Sequence, residues 1–433
     1  MTAVRLSAPG GRTFASVRKH RNYRLFFAGQ VVSNTGTWMQ RIAQAWLVVQ
    51  LTHSPVAVGV LVVCQYAPFT ALGLFGGVLA DRWEPRRIVI VTQTVSMTLA
   101  AVMAALAWSG SATVWHVYVI AVLMGLALVA DAPARQALTF QLVGRDELPN
   151  AVALNSSVFN AARIVGPAVA GATIAAAGVG ICFALNAVSF LAVLAGLLAM
   201  RRSELFPLEG RERPTLLRGS IDGLTYARRE PRVRLALVMV LMLSVLSFNF
   251  HTLLPVLASD TLAAGPRTFG VITAFFGAGA LVGALLSATV ARASWRALLA
   301  GVVVFGAAQL ALAPLSNVAG VCALLFVSGV AFTVCQANTV STLQLAAPDH
   351  LRGRVLGLYL YAFAGSTPFG GLLVGWLAQT GGTRLAFWVS GGGALATAGC
   401  ATIALRAAPA PPPGAPPSSG AAPLTATTPD ALV

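Results

Sequence analysis

The sequence predicts an all-α integral membrane protein, with twelve transmembrane helices arranged as two parallel halves of six. Three observations carry this. The 433 residues are 57% hydrophobic and only 10% charged, with a mean hydropathy of +0.78, whereas a soluble globular protein carries roughly 25% charged residues. The apolar residues gather into runs long enough to cross a bilayer, which takes roughly 20 residues. A polar stretch that follows the fourth run recurs after the tenth.

The first six runs lie near 25–50, 56–80, 87–109, 115–138, 152–177 and 181–200. The second six lie near 235–258, 268–291, 295–314, 318–345, 355–378 and 383–406. The domains follow: a basic tail over 1–24, a first half over 25–200, a charged connector over 201–234, a second half over 235–406 and a tail over 407–433. That last tail is rich in Pro, Ala, Ser and Thr, cannot bury a core, and is expected to be disordered. No cleavable signal peptide is expected, because a polar, basic stretch leads directly into a full-length span.

The formal net charge is +16, from 29 basic and 13 acidic side chains. Its distribution argues against nucleic acid, because the basic residues sit in short loops between spans. With the N-terminus in the cytoplasm, the inner side receives Arg82, Arg86, Arg87, Arg145, the connector, Arg292, Arg296, Arg352, Arg354 and Arg406. The outer loops receive Arg267 and Arg384. The positive-inside rule therefore places both termini in the cytoplasm, in a cytoplasmic (inner) membrane. The basic inner loops make anionic lipid headgroups expected partners. The five cysteines all fall inside apolar runs, none in a CxxC pair. They read as small core residues, and no metal or cofactor is expected.

The repeat pairs "LTFQLVGRDELPNAV" (138–152) with "STLQLAAPDHLRGRV" (341–355). At one fixed offset Thr139 meets Thr342, Gln141 meets Gln344, Leu142 meets Leu345, Asp146 meets Asp349, Leu148 meets Leu351 and Val152 meets Val355. The offset covers an even number of spans, so the halves share one orientation, a known transporter design. A weaker echo matches Arg82 and Arg86 to Arg292 and Arg296, with Asp81 replaced by Ala291.

The stretch "GGVLADRWEPRR" (76–87), with Gly77, Asp81, Arg82, Arg86 and Arg87, resembles the loop signature of the major facilitator superfamily. It departs from that signature at Glu84 and Pro85. "NYRLFFAGQVVSNTGTWMQRIAQAWLV", "DAPARQAL", "NAVALNSSVFNAARIVGPAVAG" and "RGRVLGLYLYAFAGSTPFGGLLVGWLA" are similar to the branch of exporters that includes enterobactin and macrolide efflux proteins. The resemblance covers nearly all of residues 20–405. It implies the major facilitator fold, a rocker-switch exporter of a small organic molecule (a siderophore, drug or secondary metabolite), and proton exchange as the driving force. It also implies that the loop network helps hold one access state closed, with Arg352 and Arg354 as its counterpart in the second half.

Charges inside a bilayer are expensive and mark function or pairing. Asp131 lies about 24 Å along its helix from Trp115, in the cytoplasmic third, with Arg135 one turn nearer the inner face. It reads as half of a latch with Arg135 and the loop bearing Arg82 and Arg86, as a proton-relay group, or as local charge balance. Asn34, Trp38 and Arg41 share one helical face, with Gln44 one turn on. A guanidinium beside an aromatic and amides suits an anionic or aromatic group; the alternative is an Arg that fixes packing. Arg163, in the fifth span before Gly166 and Pro167, reads either as a packing or gating residue or as a substrate contact. In the seventh span Asn249 is a candidate substrate contact. His251, placed toward the outer end, is a candidate proton carrier, because histidine titrates near neutral pH; a structural His beside Asn249 is the alternative.

An enzyme would need an interfacial catalytic cluster, and the scattered histidines and acid-poor outer loops provide none. Uptake with the same fold, and a non-transport sensor or scaffold, are the remaining alternatives.

Overall fold

The computed structural model describes residues 14–207, 216–289, 294–348 and 351–407. The side chains of 74–81, 164, 216–222, 288–289 and 407 fall outside that description, as do the expected tails at 1–13 and 408–433 and Arg292.

Every regular element among the described residues is helical. After a short α1 (Ala15–Lys19), the first crossings are α2 (Arg21–Thr52), α3 (Pro55–Arg82) and α4 (Pro85–Trp108). Next come α5 (Val114–Ala177), broken at Gly144, and α6 (Val179–Leu198). The connector contributes α7 (Leu216–Arg229). The second set is α8 (Pro231–Leu246), α9 (Phe250–Val256) with one π turn to Thr261, α10 (Pro266–Thr289), α11 (Trp295–Leu312) and α12 (Val318–Ala346). It closes with α13 (Arg352–Ala364) and α14 (Thr367–Ala407), the latter broken at Gly382. Nine described helical segments are long and apolar enough to cross a membrane. Divided at Gly144 and Gly382, and joined by the more polar α2, the helices are consistent with twelve crossings.

The break at Gly144 has φ +71°, a left-handed backbone that glycine adopts without penalty. A Cβ there would also stand 3.1 Å from the ring of Phe206. Phe206 N–H donates to the Gln141 carbonyl at 2.8 Å, so the connector's first residues cap the end of the helix arm that Gly144 terminates. Both helix termini and this elbow lie at one end of the bundle, called here the terminal face. Thr52, Pro55, Trp108, Ala177, Pro266 and Gly382 lie at the opposite face.

Helix neighbours recur along the chain. The first arm of α5 packs on α3 as α12 packs on α10; α6 packs on α4 and α2 as α14 packs on α11 and α8. Two seams join the sets, the second arm of α5 against α10 and α3 against α14. Small residues make both seams close, as helix contacts in lipid require. A Cβ on Gly171 would lie 2.4 Å from the Gly270 Cα, and one on Gly59 would lie 2.6 Å from the Gly371 carbonyl oxygen. Trp46 stacks on Phe269 at 5.5 Å, and Ser54 donates to Gln379 at 2.9 Å. These contacts seal the opposite face.

Candidate functional site

The centre is organised by Trp38 on α2, which is buried. Its position is fixed by Gly166 of α5, where any side chain would run into the Trp38 Cβ at 2.6 Å. Two guanidiniums share its ring: Arg41 Cζ lies 4.8 Å and Arg163 Cζ 5.6 Å from the centroid. Arg41 also lies 5.8 Å from the ring of Tyr66 on α3 and donates to its hydroxyl at 3.3 Å. Arg163 reaches across to the ring of Phe332 on α12, at 5.4 Å. Neither arginine is in an ion pair with a described carboxylate. Aromatic faces supply part of the missing negative potential, and two guanidiniums remain in a low-dielectric centre whose surplus charge is positive.

His251 belongs to this centre. Its ring stacks on Trp38 at 5.8 Å with an interplanar angle of 22°, and it lies within Coulombic range of Arg41 and Arg163. It lies in the part of the α8–α9 crossing nearer the opposite face, and its side chain meets the Trp38 ring from there. The chain is broken at Ser247–Asn249 between α8 and α9, just before His251.

Asn249 is engaged at this break. Its amide donates to the carbonyls of Val245 at 2.9 Å and Ser244 at 3.3 Å, groups that the helix break leaves without partners. Gln309 donates to the Ser247 carbonyl at 3.1 Å, and Ser247 to the Ser390 carbonyl at 2.7 Å. These buried amides and hydroxyl hold the break. Gln44 accepts from Gln65 at 3.1 Å and ties α2 to α3.

Asn34 shares a helix face with Trp38, yet it serves a different space. It donates to the carbonyl and the side-chain oxygen of Gln30, at 2.8 and 3.2 Å. Both residues line a cavity of about 210 Å³ nearer the terminal face, with Arg135, Thr139, Asn155 and Phe159.

Asp131 is buried, with 6% exposure. Oδ1 accepts from Thr92 at 2.6 Å and from Gln93 at 3.2 Å, both on α4, and Oδ2 accepts from Arg135 Nε in the same arm of α5. The expected pairing with Arg82 or Arg86 is absent among the described residues in this state. Arg86 donates instead to the Leu197 carbonyl at 2.9 Å and joins α4 to α6, while Arg82 is exposed at the end of α3. Gly77 and Asp81 lie on α3 where side chains are not described. Arg352 donates to the Gln344 carbonyl at 2.9 Å, and Arg354 lies under Gly223 of α7. The connector helix thus packs on the start of α13.

Sequence reasoning missed Tyr66, Phe159 and Phe332. Single aromatics in apolar runs give no signal until the helices are rotated against each other.

A sealed opposite face, two glycine-lined seams and a cationic aromatic centre define a membrane carrier rather than an enzyme. The chain belongs to the transmembrane secretion effector family of the major facilitator superfamily, whose model matches residues 12–412. It is 27% identical to the staphyloferrin A transporter of Staphylococcus aureus over 265 residues, 61% of this chain and 66% of that protein. It is also 27% identical to the multidrug efflux pump Tap of Mycolicibacterium fortuitum, over 84% of this chain and 90% of that one. The macrolide efflux protein A of Streptococcus pyogenes is 23% identical over 62% of this chain and 68% of its own length. In fold, the chain matches the nucleoside transporter NupG (D323A mutant) with a TM-score of 0.71, at 12% identity over 88% of this chain and 98% of that one. A bacterial homolog of the human lysosomal transporter Spinster, inward-facing and unoccupied, matches with a TM-score of 0.65, at 12% identity over 92% of this chain and 96% of that one.

Proposed function

We propose that the chain exports a small organic molecule bearing an anionic group on an aromatic body, in exchange for protons, by alternating access between its two halves. Both termini face the cytoplasm in this reading, so the sealed face is the outer one and the anionic lipids of the inner leaflet contact the basic loops. The observation that carries it is the pair Arg41 and Arg163 on the Trp38 ring, without a described carboxylate beside them. An anion placed there gains charge-assisted hydrogen bonds in a medium that strengthens them, and its ring has Trp38, Tyr66 and Phe332 to pack on. The multidrug efflux pump Tap and the macrolide efflux protein A among the relatives favour the outward direction.

For the proton, Asp131 is the first candidate, because protonation would release Arg135 and the α4 hydroxyl and amide together; His251 is the second. Gly77, Asp81, Arg82 and Arg86 in the first half, and Arg352 and Arg354 in the second, are assigned to the gating network of the alternate state.

The test is transport into everted membrane vesicles with an acidic interior, using the fluorescent anion 2-naphthoate and the cation 2-naphthylmethylamine. The expected result is accumulation of the anion, collapsed by a protonophore and abolished by Arg41→Ala. Full-rate transport of the cation, indifferent to Arg41→Ala, or accumulation of the anion only in right-side-out vesicles, would overturn the reading.

A further inference from the structure

The helices that build the centre bring two guanidiniums to it and no acid. In sequence, α2, the second arm of α5 over 150–177, α9 and α12 contain neither Asp nor Glu. The acid of α3, Asp81, follows Tyr66 at a distance of about 22 Å along the helix. Asp131, on the first arm of α5, is already met by Thr92, Gln93 and Arg135. The surplus of two cations at Trp38 is therefore a property of the chain and does not depend on one arrangement of its side chains.

The two cations stand close enough to act on one molecule, and they have different neighbours. Their Cζ atoms cannot lie further apart than the radii of 4.8 and 5.6 Å from the Trp38 centroid laid end to end. They are within Coulombic range of each other. Arg41 donates to the Tyr66 hydroxyl on α3 and faces that ring at 5.8 Å. Arg163 lies over the Phe332 ring on α12 at 5.4 Å. Its polar atoms meet aromatic faces and no described hydrogen-bond acceptor. A guanidinium presents five N–H donors. Both arginines keep accessible surface, so an arriving ligand can supply the acceptors.

A buried charge needs an opposite charge and hydrogen bonds to offset its lost hydration. One carboxylate meets that need for one guanidinium and leaves the other unmatched. We propose that the centre takes a dianion, an aromatic body with two acid groups, one held by Arg41 and the other by Arg163. This rests on the anionic reading of the same centre and adds the second charge to it. Arg41, with Tyr66 beside it, holds the first acid of any substrate. Arg163 selects the molecules that carry a second. Trp38, within reach of both guanidiniums, is the surface on which the body packs.

The test is equilibrium dialysis with full-length protein in lipid nanodiscs near neutral pH, where carboxyl probes are ionised. The probes are 2-naphthoate, naphthalene-2,6-dicarboxylate and 2-naphthyl phosphate, the last with nearly two charges on one group. The dicarboxylate is expected to bind at least about tenfold tighter than 2-naphthoate, the gain of one more charge-assisted contact. It is also expected to bind tighter than the phosphate. Arg163→Gln should leave 2-naphthoate affinity nearly unchanged, which also reports an intact fold, and should remove most of the dicarboxylate's advantage. Arg163→Met, a second neutral variant with a long side chain, should behave in the same way, and Arg163→Lys should keep most of the advantage. Equal affinity of wild type for the two acids, an advantage undiminished in Arg163→Gln, tighter binding of the phosphate, or loss of 2-naphthoate binding in both neutral variants would overturn the dianion. Failure of the underlying reading has a different signature, 2-naphthoate binding that withstands Arg41→Ala. If that binding is lost in Arg41→Ala while wild type binds the two acids equally, the second charge alone has failed.

Discussion

The imidazole of His251 lies face to face with the indole of Trp38, their centroids 5.8 Å apart and their planes 22° from parallel. The two residues come from opposite halves of the chain, so this stack joins the halves at their centre, with Arg41 and Arg163 beside the Trp38 ring. A rocking motion that changes access must slide or separate the stack. In the proposed reading, substrate recognition and the moving interface therefore coincide.

The Trp38 ring is expected to contribute through its π face as well as its bulk. Cation–π contacts of desolvated guanidiniums are worth about 0.5–2 kcal/mol each. Trp38→Leu, which keeps an apolar side chain, should raise the apparent KM for an aromatic anion by about three- to thirtyfold, while Trp38→Phe should restore most of the loss. Initial-rate transport in proteoliposomes measures both.

Asp131 and Arg135 should behave as one unit with Thr92 and Gln93. Asp131→Asn removes the acceptor of a guanidinium that is only about a quarter exposed. The cost should be roughly 1–3 kcal/mol after allowing for that exposure. Asp131→Asn with Arg135→Gln should recover much of it. Thermal unfolding in detergent of the two single variants and the double variant gives the coupling, and additivity of the single losses would contradict the pairing.

Gly171 and Gly270 should be intolerant of any side chain. Gly270→Val places a Cβ about 2.5 Å from the Gly171 Cα, and no rotamer relieves a backbone clash. The opposite face should then fail to seal. Thiol labelling at Phe269→Cys, a buried position beside the seam, should rise strongly in that background, and net transport should fall.

Asn249 should affect folding more than recognition. Asn249→Ala exposes the Ser244 and Val245 carbonyls at the helix break without touching the guanidinium centre. A stability loss of about 1–3 kcal/mol is expected, with the KM for the transported anion unchanged. A large rise in KM at unchanged stability would return Asn249 to the binding site.

The comparison between chain and fold turns on particular residues. Asp131 could be read from sequence as costly and in need of a partner, because depth along a helix follows from residue counting. Which partner it takes could not, since Arg86 and Gln93 share one face of α4 about two turns apart, and the relative height of the packed helices brings the amide to Asp131 and the guanidinium to the Leu197 carbonyl. Asn34 and Trp38 are one turn apart on a shared face, yet the insertion of Phe159 assigns them to different spaces.

By itself the sequence determined the membrane class, the succession of apolar crossings, the repeat and the cationic character of the interior, because bilayer solvation acts on every residue along a span and is read from composition and spacing. Only the tertiary structure decided that His251 meets Trp38, that Asn249 closes a helix break and that Asp131 is met by Thr92 and Gln93. Those outcomes depend on the rotation and approach of whole helices, set by glycine contacts as at Gly166 and Gly171, and no local pattern in the chain encodes that geometry.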